Sequence, residues 1–304
     1  MRISVVIPAY NVAAFIAETL QSVLRQTRPV HEVLVIDDGS KDDTAAIAES
    51  FGGIVQVVKQ KNAGASTARN NALGRATGEL IAFLDADDVW APTKIEKQVA
   101  YLEAHPEVGT VAASFVVFGA VAKDYDVHMN DAQLRSFGPL DFLSSPRVHP
   151  STLVFRRAVS TSFKFPDGIG DVEDVIYAAL LRTQAPIGAI EEILMRRREH
   201  PGQITRTSGH FGRGLGARIK WGRANAQLLG LNSPDVVDKE LFRVACDDVM
   251  ARYWTRDLNN FRSMRQQLLD MWPREEAPPA QLQRAIPPAF LLKLRDLFGS
   301  GRGA

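Results

Sequence analysis

Residues 81–90 read IAFLDADDVW, an apolar run that ends in three carboxylates, Asp85, Asp87 and Asp88. Positions 81–84 are continuously apolar and bounded by polar residues, the pattern of a central strand covered on both faces. In extended backbone, Asp85 and Asp87 are two apart and aim to the same side. Two carboxylates on one side repel unless something positive lies between them or one of them holds a proton. A helix cap before Pro92, which suits the first turn of a helix running toward His105, accounts for one of the three acids. A divalent cation accounts for the cluster, because hard cations such as Mg²⁺ prefer carboxylate oxygen. On these ten residues alone the two readings stand level.

Composition narrows the classes. The 304 residues are 45% hydrophobic, enough to bury the core of one large domain with a helical appendage. With 36 basic against 35 acidic residues the net charge is +1, and no global field recruits nucleic acid. The single Cys246 excludes an intramolecular disulfide and fits a reducing compartment. It lies in ELFRVACDDVMARYW, where a small buried residue is expected rather than a nucleophile. The apolar run in MRISVVIPAY is too short for a signal peptide, and no stretch approaches the ~20 residues of a membrane span. The expectation is a cytoplasmic protein.

Working outward from residue 81, the first hundred residues alternate short apolar runs with amphipathic stretches, which predicts βαβ units and a mostly parallel sheet flanked by helices. Strands are expected over 3–7, 33–37, 54–58 and 80–84, and helices over 14–26, 43–51, 66–75 and 92–105. An apolar run at 108–118 follows, then a polar irregular region near 120–136. Strand-like runs at 151–155 and 187–196 flank a predicted helix at 174–182, and from about 207 the pattern is helical. The expected organisation is an α/β catalytic domain over 1–205 and a helical C-terminal region over 206–304.

Ligands of open α/β sheets gather outside the carboxyl ends of the strands. Strand one ends in Pro8-Ala9-Tyr10-Asn11, and strand four in the acids above. Strand two ends in IDDGSKDDT, where Ser40, Asp42 and Asp43 read as turn and cap residues. Asp37 and Asp38, at the lip of a buried strand, do not. A dinucleotide fold needs G-x-G-x-x-G after the first strand, and none is there. GRGLGA (212–217) matches the spacing but follows a polar stretch rather than a strand. No P-loop pattern occurs either.

Five ordered stretches, VVIPAYN (5–11), IDDGSKDDT (36–44), NAGASTARNNA (62–72), GELIAFLDADD (78–88) and EDV (173–175), together resemble the family 2 glycosyltransferases of the GT-A fold. The resemblance covers residues 1–205 and implies a nucleotide-sugar donor, UDP-sugar by family precedent, a divalent cation (Mn²⁺ or Mg²⁺) and inversion at the anomeric carbon. It places Pro8, Ala9 and Tyr10 against the nucleoside, with Asp37 or Asp38 hydrogen-bonding the base. Arg69 would line the donor site, its alternative being a surface helix arginine. Asp85 and Asp87 fall on the D-x-D motif, Asp87 on the metal and Asp85 on the ribose or a metal-bound water. The resemblance thus supplies the missing positive partner.

In the same family the second acid of the ED motif deprotonates the acceptor hydroxyl, which points to Asp174; the competing reading is an acid favoured at a helix N-terminus. MRRREHPGQIT (195–205) resembles the Arg-x-His segment that closes over the donor phosphates, matching Arg198 and His200, the latter on the cation or a phosphate. His149, ahead of STLVF, stays outside the core set. A Q-x-x-R-W motif is absent, which favours transfer of a single sugar to a saccharide or lipid-linked acceptor. The rivals are a non-catalytic nucleotide-sugar-binding or scaffold protein, and a nucleotidyltransferase on a similar sheet; the latter needs a Gly-rich basic loop where this chain has PAYNVAAF. The C-terminal AIPPAFLLKLRDLF (285–298) has an apolar helical face. It reads as a helix packed on its own domain or on a second copy, or as a peripheral contact with the inner face of the membrane.

Overall fold

The computed structural model describes residues 1–144, 148–169, 172–202, 210–254 and 257–272. The expected C-terminal amphipathic helix, 285–298, lies outside these residues. In chain order the α/β part runs β1 (Ile3–Ala9), α1 (Ile16–Leu24), β2 (Glu32–Asp37), α2 (Thr44–Glu49), β3 (Val55–Lys59), α3 (Ala65–Arg75), β4 (Leu80–Phe83), β5 (Val89–Trp90), α4 (Lys94–Ala104) and β6 (Thr110–Gly119). It continues through β7 (Tyr125–Val127), α5 (Asp131–Ser136), α6 (Pro139–Ser144), β8 (Val154–Arg156), α7 (Glu173–Gln184) and β9 (Ile187–Glu199). Three helices follow, α8 (His210–Ala224), α9 (Asp235–Trp254) and α10 (Leu258–Met271).

One sheet carries the order β3-β2-β1-β4-β8-β6-β9-β5, with β7 beside β6. The first four strands are parallel, as their continuous apolar runs predict. Beyond β4 the sheet is mixed: β8 runs antiparallel to β4 and β6, whereas β6 and β9 pair in parallel. β1, β2 and β4 are buried almost throughout, because helices cover both faces. β1 lies between β2 and β4, so the chain leaves it toward β2 and returns on its other side. That reversal opens a crevice at the carboxyl ends of β1 and β4. Pro8 sits beyond the last β1–β4 register pair, Val6↔Phe83, where no ladder bond is required of its missing N–H.

The helices after residue 210 join the same apolar core through Leu215, Val237, Leu241 and Leu268. The glycines of GRGLGA are spacers on helix α8. A Cβ at Gly212 would lie 2.8 Å from Gln267 of α10, and one at Gly214 would lie 3.1 Å from Val172, just before α7. Their role is close helix packing rather than contact with a pyrophosphate. Among the described residues no helix is long and apolar enough to cross a membrane. Cys246 is half-buried on α9, and burial lifts its thiol to about 11.

Candidate active site

The lip of β2 is built by hydrogen bonds. Asn11, with φ 52° in the left-handed region that asparagine tolerates, accepts from Lys41 N at 2.8 Å while its own N–H donates to Ser40 Oγ. Asp42 accepts from Ala13 N and Thr44 N, so Ser40 and Asp42 act as the expected turn residues. Asp43 stands at the cap position of α2 without a side-chain cap bond. Asp38 accepts from Gln60 Nε2, Ala63 N and Gly64 N, each at 2.8 Å, and thereby fixes the approach to α3. Asp37, also buried, keeps Oδ1 without a hydrogen-bond partner. Tyr10 stands 45% exposed between the lips of β2 and β4.

The lip of β4 is built differently. β4 ends at Phe83, and residues 85–88 form a turn rather than continued strand. The carboxylates therefore diverge instead of sharing a side. Asp85 Oδ1 pairs with Arg69 Nη2 at 2.8 Å, Asp87 Oδ2 lies 3.0 Å from His200 Nε2, and Asp88 points into the core. Asp88 Oδ2 accepts from Ser151 Oγ at 2.6 Å and Oδ1 from Arg198 N at 2.9 Å, so this acid ties the turn to the segments carrying Ser151 and Arg198. Thr19 of α1 adds a bond to the Asp88 carbonyl. Asp88 was visible in the opening stretch as a third acid. Its structural use was not, because it depends on Ser151, 63 positions away.

Electrostatics follow from this packing. Burial pushes Asp85 up, but the Arg69 guanidinium overrides it and holds the carboxyl below the ordinary range. Burial and the Asp85 charge raise Asp87, and burial with both neighbours raises Asp88 well above that range. His149 is pushed down to about 4 by burial and is neutral at pH 7. Its Nδ1 accepts from Ser151 N, which puts the remaining proton on Nε2, 3.7 Å from Asp85 Oδ2.

Arg69 is buried, not a surface helix residue. It donates to Asp85 on one side and, through Nη1, to Glu173 Oε1 at 2.9 Å on the other. It thus joins the acidic turn to the first turn of α7, where Asp174 stands. Asp174 Oδ1 accepts from its neighbour's N–H at Val175. Burial, then the Glu173 charge, lifts Asp174 to about 7 against the pull of Arg69. The helix-start position of Asp174 is as the alternative reading required, yet a group there that titrates near 7 is poised for proton transfer.

Strand alternation sorts the MRRREH arginines. Arg198 Nε donates to the Asp87 carbonyl, its guanidinium pairs with Glu18, and it lies over Phe15 and Phe118. Arg197, which the motif match passed over, is on the opposite face, where its charge acts on both Asp85 and His149. The signal available in the sequence was the two-residue period of β9 itself.

Two donor sets could hold a cation. Ligand atoms of Asp85, Asp88 and His149 lie within 4.8 Å of one another. Both Asp88 oxygens and His149 Nδ1 are engaged, however, and Asp88 is buried. Asp87 and His200 are side by side and partly exposed, with side-chain exposures of 18% and 19%. Their 3.0 Å separation is close to that of adjacent ligands around an octahedral ion at ~2.1 Å. The Asp87 carboxylate suits a hard divalent cation, with the His200 imidazole as a nitrogen donor beside it, whereas the ligand atoms of Asp85 gather with those of Asp88 and His149.

The model of the family described as "Glycosyl transferase family 2" matches residues 4–163. The chain belongs to glycosyl transferase family 2. Among its relatives, the Bacillus subtilis (strain 168) glycosyltransferase TuaG, named for teichuronic acid biosynthesis, is 38% identical over 126 residues, 40% of this chain and 48% of that protein. The Escherichia coli UDP-Glc:alpha-D-GlcNAc-diphosphoundecaprenol beta-1,3-glucosyltransferase WfgD is 39% identical over 102 residues, 33% of this chain and 40% of that protein. The chain thus spans less than half the length of these family 2 relatives. In fold it is similar to S. aureus TarS 1-349 in complex with UDP, at TM-score 0.61 and 21% identity, covering 84% of this chain and 72% of that one. It is likewise similar to the Pyrobaculum calidifontis mannosyltransferase PcManGT in complex with GDP-Man and Mn²⁺, at TM-score 0.59 and 18% identity, covering 99% of this chain and 81% of that one. These likenesses establish the GT-A-type α/β sheet with its helical C-terminal region.

Proposed function

We propose that this chain is an inverting, divalent-cation-dependent glycosyltransferase that moves one sugar from a UDP-sugar to an acceptor hydroxyl in polysaccharide or glycolipid assembly. The observation that carries this reading is the Arg69 bridge, which sets the acidic turn at Asp85 and the α7 turn bearing Asp174 in one site. The names of TuaG and WfgD, and the UDP, GDP-Man and Mn²⁺ in the structural neighbours, support the donor and metal classes.

The nucleoside lies on Pro8-Ala9-Tyr10, with the exposed Tyr10 ring as its platform. Asp38 has its oxygens engaged by Gln60, Ala63 and Gly64, so Asp37 is the acceptor left for a base N–H. Asp87 and His200, with Asp85 at the same turn, would hold the cation, which would supply positive charge to the departing diphosphate. Arg197, on the inner face of β9, adds positive charge beside that group, while Arg198 holds Asp87 in place from the other face. Asp174 takes the proton from the acceptor hydroxyl as that oxygen attacks the anomeric carbon. The new C–O bond forms on the side opposite the breaking bond to diphosphate, which inverts the centre. A carboxylate that titrates near 7 matches that task.

The test is a donor screen with UDP-, GDP- and dTDP-sugars in Mn²⁺ or Mg²⁺, following nucleotide release with and without saccharide acceptors. Release from UDP-sugars that requires the metal is expected. Binding without release from any donor would support the non-catalytic reading instead.

A further inference from the structure

Lys94 has 0% relative exposure and opens helix α4, yet it belongs to no part of the site described so far. Burial drives its amine well below the usual lysine range, with no carboxylate contributing. Such a residue in a core is costly unless its polar atom has a specific task. Among the described residues its Nζ donates to Gln98 Oε1, one turn along α4, at 2.6 Å, and lies 4.1 Å from the centre of the Trp90 ring.

Both neighbours reach the same element. Gln98 Nε2 donates to the carbonyls of Thr152 at 2.8 Å and Val111 at 3.0 Å, and Trp90 Nε1 donates to the carbonyl of Ser151 at 2.8 Å. The Ser151 and Thr152 carbonyls belong to a 3-10 turn, Pro150–Thr152, and that of Val111 to β6 beside it. Ser151 Oγ from that turn accepts from Asp85 N at 2.9 Å and donates to Asp88 Oδ2 at 2.6 Å. The acidic turn is therefore assembled on the 150–152 turn, and the 150–152 turn on Trp90 and Gln98.

The amide of Gln98 shows why position 94 needs a donor. Both Nε2 hydrogens are used on carbonyls, so Oε1 must face Nζ and accept from it. An apolar side chain at 94 leaves Oε1 buried and unpaired, and the amide can then keep its two carbonyls only by leaving that oxygen unsatisfied.

We propose that Lys94 is a positioning residue: by orienting Gln98 and packing on Trp90 it holds the 150–152 turn that sets Asp85 and Asp88. That this matters for donor binding rests on the reading of the acidic turn given above. The test uses the full chain, ¹⁵N-labelled, with Lys94→Met and Trp90→Phe, the second removing the indole donor while keeping an aromatic ring at 90. Hydrogen exchange is followed at the Asp85 amide and, where present, the Trp90 indole, with amides of β1 and β2 as a reference. UDP with Mn²⁺ is titrated in parallel.

In Lys94→Met, exchange at Asp85 and the Trp90 indole is expected to rise about tenfold or more, with the β1 and β2 amides unchanged and UDP affinity reduced. Trp90→Phe is expected to loosen Asp85 in the same way. A merely structural lysine would speed all amides together, and that result overturns the proposal; so does wild-type protection of Asp85 in Lys94→Met. Should Lys94→Met fail to fold, an unchanged Asp85 amide in Trp90→Phe overturns it and a loosened one upholds it. If the wild-type chain binds no UDP with Mn²⁺, the donor reading falls, while the exchange data still decide whether Lys94 positions the turn.

Discussion

Two acidic turns leave the same edge of the sheet, Asp37-Asp38 after β2 and Asp85-Ala86-Asp87-Asp88 after β4, and they solve opposite problems. At β2, Asp38 is surrounded by N–H groups and completes a loop. At β4, three acids crowd one turn; burial and the Asp85 charge push Asp87 up, and burial with both neighbours pushes Asp88 up. Among the described residues, Asp85 alone of the three forms an ion pair with an arginine, Arg69. Asp38 is thus fixed by the donors around it, whereas Asp85 and Asp87 are set by the charges around them. A carboxylate held by fixed N–H donors is stabilised by its charge, whereas a crowded one is stabilised by losing it or by gaining a cation.

The largest effect that this contrast predicts is at Asp87. Asp87→Asn keeps the shape and removes an anionic ligand, and turnover is expected to fall about 10³-fold, equivalent to several kcal/mol of charge stabilisation. Thermal stability should hold or rise, since a crowded charge is removed. A variant that unfolds, or one that keeps full turnover at limiting Mn²⁺, breaks the distinction between the two turns.

Next comes Asp174, which belongs with the crowded acids. Asp174→Asn is expected to slow transfer about 10²-fold, the scale of a lost general base, while UDP binding stays near wild type. Loss of donor affinity in parallel with rate would move Asp174 to the donor side. A second measurement uses the direction of its shift. The folded-state value is raised to about 7, so the folded protein holds a proton that the unfolded chain releases near the ordinary carboxylate range. Stability then declines as pH rises from about 4 to about 7. Without added nucleotide or metal, Asp174→Asn should be more stable than wild type at pH 8, with the advantage absent below pH 4.

These contrasts show where the sequence was legible. The β1–β4 half was read nearly to the residue, because each strand is an apolar run and each strand end carries a short-range motif. The mixed half was not. β8 and β9 place Arg156 and Arg196 beside strands distant in sequence, and no local pattern states such pairing. The same limit applied to the site. Asp85, Asp87 and Asp174 stood out as acids at element ends. Asp85 and Asp87 do not share a side as extended backbone would have them, because the chain turns at 85. Arg69 as a buried bridge depends on partners 16 and 104 positions away, and Asp88 as a hub on partners 63 and 110 away. Lys94 meets Gln98 four positions along, but what Gln98 and Trp90 hold lies 54 and 61 positions from them.

A smaller effect is expected at the satisfied turn. Asp38→Asn replaces an acceptor of three hydrogen bonds with a group that must turn an NH₂ toward one of the donors. Urea unfolding should show a loss of about 1–3 kcal/mol, and residues 60–64 should exchange faster. Activity should follow stability. Equal stability in Asp38→Asn and wild type would mean that the N–H cage at β2 is incidental.

The smallest effect concerns Tyr10, which stands between the two turns with its ring open to solvent. If a nucleoside spans from β2 to β4, the ring supplies stacking and nothing to the cation. Base–aromatic stacking contributes on the order of 1–3 kcal/mol, so Tyr10→Ala should weaken UDP binding about tenfold at saturating Mn²⁺. Inorganic pyrophosphate with Mn²⁺ has no base to stack, and its affinity should not change. Asp87→Asn, in contrast, should weaken both ligands. Titration calorimetry of the two variants against the two ligands gives four numbers, and the contrast between the turns requires that only the UDP value respond to Tyr10. Equal loss of both ligands in Tyr10→Ala would show that the ring supports the β4 turn itself, and the crevice would then act as one unit rather than as a base end and a phosphate end.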